Sequence, residues 1–511
     1  MTDTCLNIIT QLTVELHKDD ISKEKLGTGV LYTNRKLSGV VYVLTAKHCL
    51  SKLGEKGRVS LRIYNPDTST YEYVTPVKQS ILLHPVDDAG IIIINKRELA
   101  SVVSDLPSVY VVDKNFGTDE AVSKGFPVAT LNQTNENGES SLAMIRMTYL
   151  HEDITENVFQ LSTNDDYSED TIVGMSGSGI FIEACEELYI NGIFIRYTDE
   201  ERGKVISAQR LISFNKLLEE EYKKKMSLSF LGHHGLGHKT LKNNVEDSVA
   251  NLGPRYCQKV NVRTGTAKYF NCVAKTPAYF ERLYRNIDSW LTEKSYRTRK
   301  DSNRIGQLES HLKAIRDDFT VALSNLDQRV DAIIDLSSLM KRVESLQNEL
   351  EEVRHRFYSD YSSTKKDDNV RKELEADEAR LLEISQDLYS FTENFEDLKI
   401  NLANNPYLII KGEAGCGKSH LLGDVASKRI DDGLPTLLFL GTDFAEETYE
   451  TTITSKVGFV GTFREFLSSF NQIGTQVGSR ALLMIDALNE GPQAVLWKDR
   501  LSGLIKSLKD Y

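Results

Sequence analysis

Three short stretches of this chain hold residue types that together could hydrolyse an acyl bond. Ser176 lies in Gly174-Met175-Ser176-Gly177-Ser178-Gly179, where glycines permit a tight turn. His48 ends the apolar run of Leu44-Thr45-Ala46-Lys47-His48-Cys49. His84-Pro85-Val86-Asp87-Asp88-Ala89-Gly90 places a carboxylate just before the apolar Ile91 to Ile94. Amide hydrolysis needs a nucleophile, a base and an anion trap. Ser176 would attack the carbonyl, His48 would take and return its proton, and Asp88 or Asp87 would fix the imidazole tautomer. The amides of Gly174 and Ser176 would form the oxyanion hole, where losing one donor costs about 10²–10³ in rate. The bland alternative is a degenerate barrel that only binds peptides.

A second chemistry is written near the other end. Gly412-Glu413-Ala414-Gly415-Cys416-Gly417-Lys418-Ser419 satisfies the phosphate-cradling pattern G-x-x-x-x-G-K-[ST]. Gly412, Gly415 and Gly417 would let backbone N–H groups curl around phosphate oxygens, Lys418 would reach the β- and γ-phosphates, and Ser419 would ligate Mg²⁺. Asp486 ends the apolar run Ala481-Leu482-Leu483-Met484-Ile485 and is the second Mg²⁺ ligand expected. Glu490, with Asn489 beside it, is the candidate for polarising the attacking water. ATP and Mg²⁺ are therefore the expected cofactors. A glycine-rich turn beside a chance acid is the competing reading.

Four regions must position these residues. Short apolar or alternating runs (Gly29 to Tyr32, Val40 to Leu44, Val59 to Tyr64, Ile91 to Ile94, Ile180 to Ile182, Ile190 to Ile195) predict an all-β unit over 1–225, closed by a helix from Gln209 to Lys225. Residues 226–300 read as a connector with a loop at Gly232 to His238 and a helix from Phe280 to Leu291. Over 301–400, Leu308, Leu312, Ile315, Phe319, Leu323, Leu326, Val330 and Ile333 step by threes and fours, and the pattern resumes through Leu346, Leu350, Val353 and Phe357. With a second helix from Leu374 to Leu398, this predicts a helical hairpin or coiled coil. Residues 401–511 switch to an α/β rhythm, with strands at Tyr407 to Ile410, Thr436 to Leu440 and Ala481 to Ile485 and a helix from His420 to Arg429.

Composition narrows the partners. A net charge of −12 argues against general nucleic-acid binding. Six scattered cysteines without a CxxC read as reduced thiols, and no apolar run is long enough to span a membrane, so a cytoplasmic protein is expected. The N-terminus lacks a basic segment followed by a long apolar one, so no signal peptide is expected. His233, His234 and His238 with Cys257 and Cys272 match no standard zinc spacing, and no structural zinc is expected. Lys223-Lys224-Lys225 at a helix end needs no ligand.

The first 220 or so residues resemble the trypsin-like serine proteases: the order His48, Asp88, Ser176 is that of the chymotrypsin class. Asp88-Ala89-Gly90-Ile91 matches that family's acid-to-strand pattern, which favours Asp88 over Asp87. The resemblance implies a double β-barrel, an acidic pocket residue at Asp170, six before Ser176, and a backbone near Ile195 to Tyr197 that pairs with substrate as an added strand. Asp165, Asp166, Glu169 and Asp170 also read simply as a solvated acidic loop. Met175 replaces the aspartate that captures a freed N-terminus in secreted trypsins, Gly179 replaces a proline, and the histidine-linked disulfide of Cys49 has no partner; all three make the unit look like intracellular, regulated members.

The run Leu482 to Glu490 resembles the STAND class of signalling ATPases, NACHT-type NTPases included. A protease joined to such an NTPase resembles the antiviral STAND proteins of bacterial anti-phage defence. That resemblance implies a phage-protein trigger sensed by a C-terminal region, a homo-oligomer when active, and a protein substrate. The expected architecture is multidomain: an all-β trypsin-like double barrel, a central α-helical region and an incomplete α/β P-loop NTPase, with the chain a portion of a longer protein. An ATP-driven unfoldase-protease and a non-enzymatic peptide-binding scaffold are the alternatives.

Overall fold

The computed structural model describes the chain except residues 20–23, 34–38, 54–56, 101, 104–105, 114–119, 128–140, 154–156, 164–166, 168–171, 201–202, 258–264, 292–302, 364–367, 445–447, 490–493 and 510. Helix α1 (Asp3–Leu12) opens it, capped by the Thr2 hydroxyl, which accepts from the Cys5 amide. Its Ile9 and Leu12 are fully buried in the core of the first β unit. The sequence reading did not foresee this helix.

The first β unit contains β1 (Thr13–Lys18), β2 (Lys25–Tyr32), β3 (Val40–Thr45), β4 (Val59–Asn65), β5 (Thr70–Val74), β6 (Gln79–Leu83) and β7 (Gly90–Asn95). They form one antiparallel sheet in the order β5-β4-β1-β2-β3-β7-β6. No ladder joins β5 to β6 among the described residues. Instead the Gln79 side chain accepts from the Val59 amide and donates to the Val59 carbonyl, at 3.0 and 3.2 Å, bridging β6 to the start of β4.

The second β unit contains β8 (Tyr110–Val111), β9 (Ala121–Gly125), β10 (Ala143–Asp153), β11 (Val158–Thr163), β12 (Gly179–Ala184), β13 (Glu187–Glu200) and β14 (Gly203–Arg210). Six of these close into a barrel, β12-β9-β10-β11-β14-β13, with β13 returning to β12 and β8 added in parallel outside β13. Closure removes sheet edges. Every predicted strand of this all-β region is present. The closing helix is α3 (Leu211–Glu220), shorter than expected: Gln209 and Arg210 complete β14 instead, paired with Ile193 and Gly192.

Residues 226–300 are more than a connector. They contribute α4 (His238–Asn251), α5 (Ala267–Ala274) and α6 (Pro277–Leu291). His238, expected in a loop, is the buried first residue of α4. The long predicted helix is two, α7 (Asn303–Ser324) and α8 (Ser337–Ser363), followed by α9 (Asp368–Asp397). Between them the Asn325 amide folds back onto Val321 O, and the Asp335 carboxylate binds the Ser337 amide and hydroxyl. Such side-chain-to-backbone bonds compete with helix continuation. Ile333, predicted on the seam, is therefore exposed, whereas Leu308, Leu312, Ile315, Phe319, Leu346 and Leu350 are buried. Helices α6 to α9 share a core in which Trp290 stacks on Phe391 at 3.8 Å and Arg316 covers the Trp290 ring while pairing with Asp387 at 2.7 Å.

The last region carries α10 (Lys418–Asp431), β15 (Thr436–Leu440), α11 (Phe463–Gln476), β16 (Leu482–Asp486) and α12 (Ala494–Leu508). β15 and β16 pair in parallel, Thr436 opposite Leu482 through Leu440 opposite Asp486. The free edge of β15 is covered by α4: Asn244 accepts from the Leu438 amide at 2.9 Å and Ser248 donates to the Leu438 carbonyl at 2.5 Å. The expected buried strand Tyr407 to Ile410 is not formed. These residues pair with no strand, Leu408 and Ile410 touch the core, and Ile409 is 72% exposed. Without a neighbouring strand, an apolar run alone cannot hold a ladder. No described helix is long and apolar enough to cross a membrane.

Candidate active site

His48 sits on the short helix α2 (Lys47–Leu50), directly after β3, and Asp88 sits directly before β7. Because Thr45 pairs with Gly90, the two strand ends lie side by side and the two residues meet. Asp88 Oδ2 accepts from His48 Nδ1 at 2.8 Å, and Asp88 Oδ1 accepts from the His48 backbone amide at 3.0 Å. This fixes both ring position and tautomer, leaving Nε2 as the ring atom for proton exchange. The structure also separates the two candidate acids. Asp87 turns away, its carboxylate accepting from Asn157 Nδ2 at 3.2 Å, while His84 Nδ1 accepts from the Asp87 amide at 2.8 Å.

The hydrogen bond to Asp88 raises the His48 pKa to about 10, aided by the thiol of Cys49. Burial alone would raise the Asp88 carboxyl, but the hydrogen bond and charge of His48 outweigh it and hold it below the usual carboxylate range.

Ser176 arrives from the other β unit, in the loop before β12, and is fastened across the junction. The Thr28 amide donates to Ser176 O at 2.9 Å, Thr28 Oγ1 donates to Gly174 O at 2.9 Å, and the Cys49 thiol lies against Ser176 O at 3.4 Å. Cys49 follows His48 in the chain, so the Ser176 loop and His48 share a wall. Gly174 and Gly177 have φ of +99° and +91°, the left-handed region that favours glycine. A Cβ on Gly177 would also overlap Thr28 O and Thr45 Oγ1. Among the described residues, no carbonyl accepts from the amides of Gly174 and Ser176. The Ser176 hydroxyl donates to Ile195 O at 3.4 Å, and no hydrogen bond joins it to His48.

Met175 anchors this loop by packing. It is fully buried in the second unit's core, against Gly125. Ile195 lies at a bulge between Phe194 and Arg196 in the pairing with β14, and β12 pairs with β13 only as far as Ile193. The expected pocket residue Asp170 lies outside the described residues, as do its neighbours Asp165, Asp166 and Glu169. Sequence reading missed Thr28 and Gln209. Both are buried polar residues: Thr28 stands in the mainly apolar β2, a pattern that could have marked it, whereas Gln209 stands in the mixed β14 (Gly203–Arg210), where nothing in the sequence sets it apart.

The glycine-rich segment lies at the N-terminus of α10, with Gly415 and Gly417 at φ +79° and +87°. Residues 411–417 are exposed, and Lys418 Nζ folds back onto the Gly412 and Glu413 carbonyls at 2.8 Å each. Ser419 follows on the first turn of the helix. Asp486 ends β16 as expected. It is 95% buried, yet among the described residues its Oδ2 has no hydrogen-bond partner. A buried, orphaned carboxylate oxygen fits a cation ligand. Glu490 lies outside the described residues. His233 bonds Ser469, and His238 bonds Tyr110 and Ile430. Among the described residues no three metal-ligating side chains converge.

No known protein family matches the chain, and no curated protein matches it.

Proposed function

We propose that the chain is a serine endopeptidase of trypsin-like type under the control of a P-loop nucleotide site. The observation that carries this reading is the Asp88–His48 pair held at the junction where the Ser176 loop docks. In the reaction, the Ser176 hydroxyl swings from Ile195 O to His48 Nε2. The base takes its proton as Oγ attacks the substrate carbonyl, and Asp88 stabilises the imidazolium. The Gly174 and Ser176 amides receive the oxyanion, and His48 then protonates the leaving amine. Resting hydrogen bonds of this kind are often long and tighten on binding.

The nucleotide reading rests on the glycine geometry, Lys418 and the orphaned Asp486 oxygen. Lys418 and the loop amides would hold the phosphates of ATP, and Ser419 and Asp486 would hold Mg²⁺, which neutralises phosphate charge when bound. Contacts between the two halves support control. Helix α10 starts at the phosphate loop, and Ile430 in its last turn offers the carbonyl that accepts from His238 Nε2 at 2.9 Å. His238 Nδ1 in turn bonds the Tyr110 hydroxyl at 2.9 Å, on β8, which pairs with the strand carrying Ile195. Burial keeps His238 neutral by lowering its pKa, which suits this donor–acceptor arrangement.

Cleavage of an unfolded fluorescent protein tests the reading, comparing the chain with Ser176→Ala in the presence and absence of ATP and Mg²⁺. Serine-dependent cleavage that responds to nucleotide is expected. Cleavage that survives Ser176→Ala would remove the peptidase assignment, and indifference to ATP would remove the control.

A further inference from the structure

The acid of the candidate triad belongs to the first β unit, yet it is gripped from the second. Gln209 on β14 is 1% exposed and reaches across the junction, its Oε1 accepting from the Asp88 amide at 3.1 Å. Its Nε2 donates to Asn157 O at 2.8 Å and to Ser213 Oγ at 3.0 Å. Asn157, just before β11, completes a parallel link: its Nδ2 donates to Asp87 Oδ2 at 3.2 Å. The Arg210 amide also donates to Asn157 O at 2.9 Å. Asn157 has φ +51°, a left-handed conformation that asparagine tolerates. Two consecutive acidic residues of one unit are thus tied to two polar residues of the other.

We infer that Gln209 and Asn157 form a cross-unit clamp that positions Asp88 against His48, so that the docking of the two β units sets the alignment of the base. The inference rests on the hydrolase reading. Gln209 is a positioning residue, since it touches only the backbone of Asp88. The physical argument is one of alternatives. A part-buried amide that loses its protein acceptor must find another, which favours movement of the Asp88 turn. Such a shift would rotate the carboxylate whose two oxygens bind His48 Nδ1 and the His48 amide. Angular errors of this size at a catalytic pair lower turnover more than binding.

The test uses the whole chain and two readouts. The first is phosphonylation of Ser176 by a fluorophosphonate, resolved into a maximal rate and a half-saturating concentration. The second is the downfield proton resonance of the His48 Nδ1–H bonded to Asp88. Gln209→Leu should lower the maximal rate about tenfold with half-saturation within about twofold, and should shift or broaden the resonance. Asn157→Gly, which keeps the backbone carbonyl and its φ, should do the same to a smaller degree. Wild-type rate and resonance in a folded Gln209→Leu would overturn the inference. Should that variant fail to melt cooperatively, Asn157→Gly decides, and an unchanged rate and resonance there overturn it. A wild-type chain that is never phosphonylated removes the hydrolase reading instead, and the resonance in Gln209→Leu alone then decides the clamp.

Discussion

His48 holds its proton up to about pH 10 because Asp88 accepts from its Nδ1. A base that must be neutral to act gains activity as pH rises toward that value, so the pH–rate profile should climb through the alkaline range. Asp88→Asn should move its limb down to roughly 6.5, the ordinary histidine value, while lowering the rate. Stability carries the opposite sign. The raised imidazole pKa contributes stability fully below about pH 6.5 and loses it as pH rises to about 10. The depressed Asp88 pKa contributes above its ordinary value and is lost as pH falls through the folded one. The melting-temperature gap between the wild type and Asp88→Asn should therefore be level near pH 6 and close toward pH 10. Beside them, Met175 shows that this loop is ordered by apolar burial. Met175→Ala should cost about 2–5 kcal/mol in chemical denaturation. A change below about 0.5 kcal/mol would mean that the loop is anchored elsewhere.

At the scale of elements, α4 does two jobs. Its Asn244 and Ser248 satisfy the exposed edge of β15, and its first amides, those of His238 and Lys239, donate to the Glu187 carboxylate of the barrel. Asn244→Ala leaves the Leu438 amide without its acceptor and should destabilise the fold by about 1–3 kcal/mol, read from denaturant midpoints. None of this was legible beforehand, because α4 has few apolar residues and its role lies in polar contacts to a strand nearly two hundred residues away. In the β region β2, β3, β4, β7, β12 and β13 were legible as short apolar or alternating runs, whereas β1, β5, β6, β8 to β11 and β14 carry more polar residues and were not, and Gln209 and Arg210 read as helix although they complete β14. The helical region was legible in its apolar steps but not in its break, which Asn325 and Asp335 make through local side-chain bonds. Tyr407 to Ile410 misled for the converse reason: apolar composition does not provide a partner strand. Within the candidate site, residue types and order identified His48 and Ser176. The choice of Asp88 over Asp87 needed the resemblance, and the cross-unit contacts of Thr28 and Gln209 needed the fold.

For the whole molecule, His238 links the β8 strand beside the barrel to the α/β unit, through Tyr110 and the Ile430 carbonyl. If the glycine-rich loop holds triphosphate, ATP with Mg²⁺ at about a hundred times its dissociation constant should stabilise the chain by about 2.7 kcal/mol. Lys418→Ala should abolish that gain. Equal stabilisation of both proteins would place the nucleotide elsewhere. The most direct measurement concerns the junction itself: mass-spectrometric mapping of a fluorophosphonate adduct on the intact chain and on His48→Ala. An adduct on Ser176 is expected in the wild type, with its near loss in His48→Ala. An unmodified Ser176 under all conditions, or modification indifferent to His48, would contradict it.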